Sequence, residues 1–205
     1  KDINGVPGSL TKGEERLNFI RGDRSKEGSV LNGFTAALPY RERQSRQGDI
    51  INSVVWYTGA PSSTYALNGA ADFVRCNANR PPMIYVGGND GMLHGFSAAD
   101  GSEKIAYVPQ GVIPSLRHLT DPSYNNKHRF FVDGSAMTGD VDTSSGNVDP
   151  NDACNTNDWR TMLVGTLGAG GKGYFVLDVT NPTTATIPGG APAFTAANAS
   201  QLVKL

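Results

Sequence analysis

Apolar residues in this chain come in short runs broken by glycine, asparagine, aspartate and proline, a pattern that predicts strands and tight turns. The helical exception lies near the start. Thr11 with Glu14 forms a capping box, Leu10 staples it, Leu17 and Ile20 share one face, and Gly22 reads as the C′ residue. Residues 23–48 are polar and charged, with Arg41, Arg43 and Arg46 at nearly alternating positions, and read as loop or ribbon. Strands follow at Val54–Gly59, Met83–Gly88, Met92–Ala98 and Lys104–Pro109. Asn89-Asp90-Gly91 and Asp100-Gly101 supply the turns of a meander. A short helix is predicted around Pro114–Leu119, two short strands within Arg129–Val141, a long loop over 142–158, and a hairpin over Thr161–Val179. Residues 60–82 read as an excursion, and Asn181–Ala199 shows no core signal.

The two hairpins echo one another at an offset of roughly 80 residues, longer than a plain propeller blade. Met83-Ile84-Tyr85-Val86-Gly87 lies over Met162-Leu163-Val164-Gly165, and each return strand ends near an aspartate. The expected fold is mainly β: a partial β-propeller of two to three blades with insertions and a short N-terminal helix. The domain reading is 1–22 for the helix and lead-in, 23–182 for the blades, and 183–205 for a flexible tail or the start of a further blade. Two or three blades do not close a ring, so the cut edges need partners.

Composition narrows the function classes. The 205 residues carry 18 basic and 19 acidic side chains, so no basic excess favours nucleic acid. With 25 glycines and 12 prolines the chain turns often, against an α-bundle. No apolar run approaches the roughly 20 residues of a membrane helix. The opening Lys-Asp-Ile-Asn-Gly reads as a cut into a longer polypeptide or a mature product. The two cysteines, Cys76 and Cys154, sit in asparagine-rich polar stretches and allow one pairing. A disulfide there implies an oxidising compartment and constrains the unfolded chain by roughly 4 kcal/mol.

The stretch YVGGNDGMLHGFSAADGSEKIAYVP (Tyr85–Pro109) resembles a quinoprotein-type propeller repeat. Its neighbours are more specific: FIRGDRSKEG (Phe19–Gly28), GDIINSVVWYTG (Gly48–Gly59), FFVDGSAMTGDV (Phe130–Val141) and WRTMLVGTLGAGGKGYFVLDVTNP (Trp159–Pro182). In this order the blocks resemble the C-terminal propeller of the PilY/PilC-type adhesins, tip-associated type IV pilus biogenesis proteins. The resemblance implies a non-enzymatic role in pilus extension against retraction and in surface adhesion. It implies a location in the periplasm and at the cell surface of a Gram-negative bacterium. The implied partners are pilins, minor pilins, integrin-type host receptors and the remaining blades. It also implies calcium as a cofactor, in a family loop expected outside this chain.

Two candidate sites stand out. Arg21-Gly22-Asp23 is the integrin-type tripeptide, able to present opposite charges from a tight turn. Asp140, Asp142, Ser144, Asn147, Asp149 and Asp152 form an oxygen-rich stretch whose first three members have calcium-loop spacing. Gly146 and Asn151 break the EF-hand pattern, so only a looser calcium site fits. Asn89, Asp90 and His94 read as scaffold, not catalysis. Gly168, Gly170, Gly171 and Gly173 read as a hairpin turn because a strand, not a helix, follows Lys172. Trp56 and Trp159 read as inter-blade packing. No catalytic residue is expected. A quinone-dependent dehydrogenase is the alternative, but it needs a closed ring and a repeat-end tryptophan where this chain has Ala106-Tyr107.

Overall fold

The computed structural model describes residues 10–62, 67, 69–143, 159–185, 187 and 190–205, with backbone only for Leu10 and Thr11. The first element, α1 (Leu10–Ile20), starts at Leu10, which places Thr11 inside the first turn and not at its cap. Its buried side chains are Phe19 and Ile20 in the last turn, while Leu17 is exposed. The strand β1 (Trp56–Thr58) is followed by α2 (Ala70–Cys76), inside the stretch expected as an irregular excursion. Seven residues with two buried side chains, Ala70 and Phe73, are too few to show a helical period.

The meander is as expected. Strands β2 (Met83–Gly87), β3 (Leu93–Ser97) and β4 (Glu103–Tyr107) join β1 in one antiparallel sheet of order β1-β2-β3-β4. Strand β2 is almost wholly buried, which suits its continuous apolar run. A 3₁₀ run, Gln110–Thr120, replaces the short helix expected there. Pro114 inside it has no N–H to donate, while Val112, Leu116 and Leu119 reach the core.

A second sheet has order β5-β6-β7, from Ala136–Asp142, Trp159–Thr166 and Tyr174–Asp178. Only one strand forms where Arg129–Val141 was expected to give two. Residues 190–205 do not trail away as a tail. Phe194 and Leu202 are buried, and Val203 bridges Leu177 antiparallel. Lys204 N–H donates to Val176 O at 2.9 Å and Val176 N–H to Leu205 O at 3.1 Å, so this end lies along β7 as a fourth strand would.

The two sheets stack with their inner strands side by side. Asn52 meets Asp133, Val54 meets Ser135 and Trp56 meets Thr138, so β1 and β5 run in the same direction. Met83, Tyr85 and Leu93 of one sheet share a core with Leu163, Phe175 and Leu177 of the other. Tyr107 and Phe175 put their ring centroids 5.3 Å apart. Two four-deep meanders, stacked with parallel inner strands, are two consecutive blades of a partial propeller. The outward face of the second blade exposes Met137, Val141, Val164 and Tyr174.

Candidate functional site

The tripeptide Arg21-Gly22-Asp23 closes α1. Asp23 N–H donates to Asn18 O and Gly22 N–H to Phe19 O, both at 2.9 Å, which is a Schellman ending. Gly22 adopts φ +103°, a conformation that side-chain-bearing residues rarely take. Arg21 and Asp23 are exposed. The Asp23 carboxylate accepts from Ser25 N–H at 2.8 Å and from its hydroxyl at 3.0 Å, and these bonds hold its pKa below the ordinary range.

Beneath this turn lies Arg43, which is 5% exposed. Its guanidinium carbon sits 3.7 Å from the Phe19 ring centroid, and it donates to Phe19 O at 2.6 Å and Asp23 O at 2.7 Å. Glu27 pairs with it at 2.6 Å. Burial pushes Glu27 up, but the bonds from Arg43 and Arg24 outweigh that and hold it below its usual value. Arg43 therefore gives the Phe19 carbonyl a second donor beside Gly22 N–H and supplies one to the Asp23 carbonyl just past the end of α1.

The Asn89-Asp90-Gly91 turn is a buried hub. Asp90 accepts from Gly48 N–H at 2.7 Å and Met92 N–H at 3.2 Å. A Cβ on Gly48 would collide with the Asp90 backbone nitrogen, so only glycine lets this loop approach. Asn89 accepts from Phe131 N–H at 3.0 Å and donates to the Asp49 carboxylate at 2.9 Å. His128 donates to the same carboxylate at 3.0 Å. His94 stands between two carboxylates, Nε2 facing Asp90 at 3.0 Å and Nδ1 facing Glu103 at 2.5 Å. Burial lowers its pKa, but the Asp90 and Glu103 bonds and charges outweigh burial and raise it. An imidazole with a carboxylate on each nitrogen is a charged clamp between β3, β4 and the turn. It has no free nitrogen with which to take a substrate proton.

Asp140 and Asp142 do not open a loop. Both lie in β5, paired in register with Thr161 and Trp159, and their alternate spacing is that of a strand. Asp140 accepts from the Thr161 hydroxyl at 2.6 Å, and Arg80 donates to that hydroxyl at 2.5 Å. Ser144, Asn147, Asp149 and Asp152 lie outside the described residues. Among the described residues no group of three or more His, Cys, Asp or Glu side chains is placed to hold a metal ion. Cys76, the last residue of α2, is disulfide-bonded. Cys154 lies outside the described residues. The structure thus places the tripeptide and Asp140 far apart in function: one is an exposed turn, the other a cross-strand acceptor.

The model of the PilY1 beta-propeller domain family matches residues 47–198. This chain belongs to the PilY1 β-propeller family. A type IV pilus biogenesis factor PilY1 homolog of Xylella fastidiosa (strain Temecula1) is 43% identical over 177 residues, 82% of this chain and 13% of that protein. The type IV pilus biogenesis factor PilY1 of Pseudomonas aeruginosa (strain PAK) is 40% identical over 185 residues, covering 84% of this chain and 14% of that one. The crystal structure of the Pseudomonas aeruginosa PilY1 C-terminal domain aligns over 62% of this chain and 23% of its own, at 35% identity and TM-score 0.43. The chain therefore spans about one seventh of the length of the PilY1 relatives it matches. The PilY1 match covers the hub, both hairpins and the 3₁₀ run, but begins after Arg21-Gly22-Asp23.

Sequence reasoning missed Arg43, Arg80 and the His94 clamp. The signal for Arg43 was its position among alternating arginines in a polar stretch, which gives no hint of which one turns inward. For His94 the signal was Glu103, nine residues on, which a bulge between Gly95 and Phe96 pairs with Phe96 while His94 itself pairs with Ala106, so the contact is diagonal and no simple register announces it.

Proposed function

We propose that this chain is a propeller segment of a type IV pilus biogenesis protein that acts by binding, not by catalysis. The observation that carries this is the family match over residues 47–198, together with relatives about two-fifths identical across most of the chain. In this reading the two stacked blades form a rigid platform at the periplasmic and outer face of the cell. Its loops contact pilins or minor pilins and favour extension over retraction. The clamp at His94 and the Arg43 anchor support rigidity, since both hold loops by buried charge pairs. The disulfide at Cys76 supports an oxidising location.

Attachment to surfaces belongs to the same proposal. The tripeptide Arg21-Gly22-Asp23 supports it by being exposed on a turn of fixed shape. The test is an in-frame deletion of residues 47–198 from the full-length protein in its own bacterium, scored for surface pili. Loss of pili is expected. Normal piliation with normal protein levels sinks the proposal.

A further inference from the structure

Residues 41–49 and the turn Tyr124–His128 enclose an open cavity of about 460 Å³. That is the size range of small-ligand sites. Arg41 forms one wall and is held on three sides. Its backbone N–H donates to Thr120 O at 3.2 Å, its Nε donates to Leu119 O at 2.6 Å, and its guanidinium carbon lies 4.6 Å from the Tyr124 ring centroid. Tyr124 is pinned in turn, its hydroxyl donating to Arg129 O at 3.1 Å. Among the described residues no carboxylate comes within ion-pair distance of Arg41, and neither Nη makes a hydrogen bond. Burial is the largest influence on this guanidinium and works against its charge. A half-buried cation fixed in place with both Nη groups unused is a preformed fork for an oxyanion.

Another part of the lining is of different chemistry. The Asp49 carboxylate already accepts from Asn89 and His128, yet 47% of its side chain stays exposed. It accepts hydrogen bonds and donates none. Gln44, Gln47 and Asn125, which carry amide side chains, also line the cavity. A ligand that satisfies all of them needs one anionic end and a row of hydroxyls. A phosphate calls for more cations than this cavity fixes. An acidic peptide has no row of hydroxyls for Asp49 and the amides.

We propose that this cavity binds an acidic saccharide, with a sugar carboxylate on the Arg41 Nη pair and ring hydroxyls on Asp49 and the neighbouring amides. The proposal deepens the surface-attachment reading by naming a ligand class, but its binding test stands apart from pilus assembly. Glu42, exposed, lines the same cavity and opposes the incoming carboxylate.

The test is a titration of the 205-residue chain with sodium glucuronate, followed by amide NMR shifts, with glucose and glutarate as controls. Saturable, millimolar glucuronate binding is expected, with each control weaker by about tenfold, because each lacks half of the recognised chemistry. Arg41→Gln should lose about tenfold in affinity, and Glu42→Gln should gain about twofold. Asn125→Asp, on an exposed side chain, adds an anion without touching the core and should weaken binding several-fold. No saturation by about 20 mM glucuronate overturns the proposal. So does glucose or glutarate binding as tightly, or unchanged binding in both Arg41→Gln and Asn125→Asp. Any of these failures leaves the piliation result, and the reading built on it, where it stood.

Discussion

Trp56 donates its indole N–H to the Thr138 hydroxyl across 2.9 Å, tying the innermost strand of one blade to the innermost strand of the next. Thr58 adds its own hydroxyl to Thr138 at 3.1 Å. Trp56→Phe keeps most of the ring and loses the donor, and should lower unfolding free energy by about 1 kcal/mol. Thr138→Val should cost a similar amount. The double substitution should cost less than the sum, measured by urea unfolding, because both remove one shared bond. Additive losses would show that the bond contributes nothing of its own.

Arg43 is expected to be the most sensitive position outside the sheets. Its removal leaves buried Glu27 with Arg24 alone beside it and takes one donor from each of the Phe19 and Asp23 carbonyls. Arg43→Ala should cost about 3 kcal/mol. Hydrogen exchange at residues 18–23 should quicken in that variant more than exchange in β2. Arg43→Lys should recover only part, since an ammonium does not reproduce the fork or the stacking on Phe19.

Stability should fall as pH rises above the ordinary imidazole range. His94 has a folded-state pKa raised above the ordinary imidazole value. A group of this kind contributes fully below the unfolded-state pKa and loses that contribution as pH rises through the folded one. Unfolding measured across this range should show the decline in the parent chain and a flatter profile in His94→Gln. Glu103→Gln removes one flanking carboxylate and should move the His94 ring-proton titration to lower pH. An unmoved titration would mean that Glu103 does not act on the ring.

Gly22→Ala forces a side chain into φ +103° and should cost about 1–2 kcal/mol. Space is not the cause, because an added Cβ meets only the Arg46 side chain at ordinary contact distance. Asp23→Ala leaves the backbone carbonyl that Arg43 uses. It should therefore lower the melting temperature only slightly, through the lost Ser25 bonds, while abolishing integrin-type attachment in a cell-adhesion assay. Full adhesion in that variant would remove the tripeptide from the proposed function.

Most of the scaffold was legible because its signals are local. The turns at Asn89-Asp90-Gly91 and Asp100-Gly101 fix the β2-β3-β4 meander, and the strand after Lys172 excludes a phosphate loop. Gly22 was readable as a helix stop for the same reason. What escaped depends on partners distant in sequence. Arg43 turns inward because Glu27 and two carbonyls wait there. Arg80 is half-buried, where Gly59 O just past β1 and the Thr161 hydroxyl of β6 both accept from it. Asp140 and Asp142 looked like a calcium loop because alternate residues of a strand and alternate ligands of a loop have the same spacing. Phe194 and Leu202 sit in a stretch rich in alanine, threonine and glycine, where two apolar side chains give no period.

The helix α2 lies outside both sheets. Phe73 stacks near Trp159, ring centroids 6.1 Å apart, and Cys76 ends the helix in a disulfide. A batch made under reducing conditions should therefore keep both sheets yet lack one tether of this helix. Such a batch passes a circular-dichroism check and still differs from the oxidised protein. A shift in mobility on a non-reducing gel, or a free-thiol count, is the quality control that separates the two before any binding or piliation experiment is interpreted.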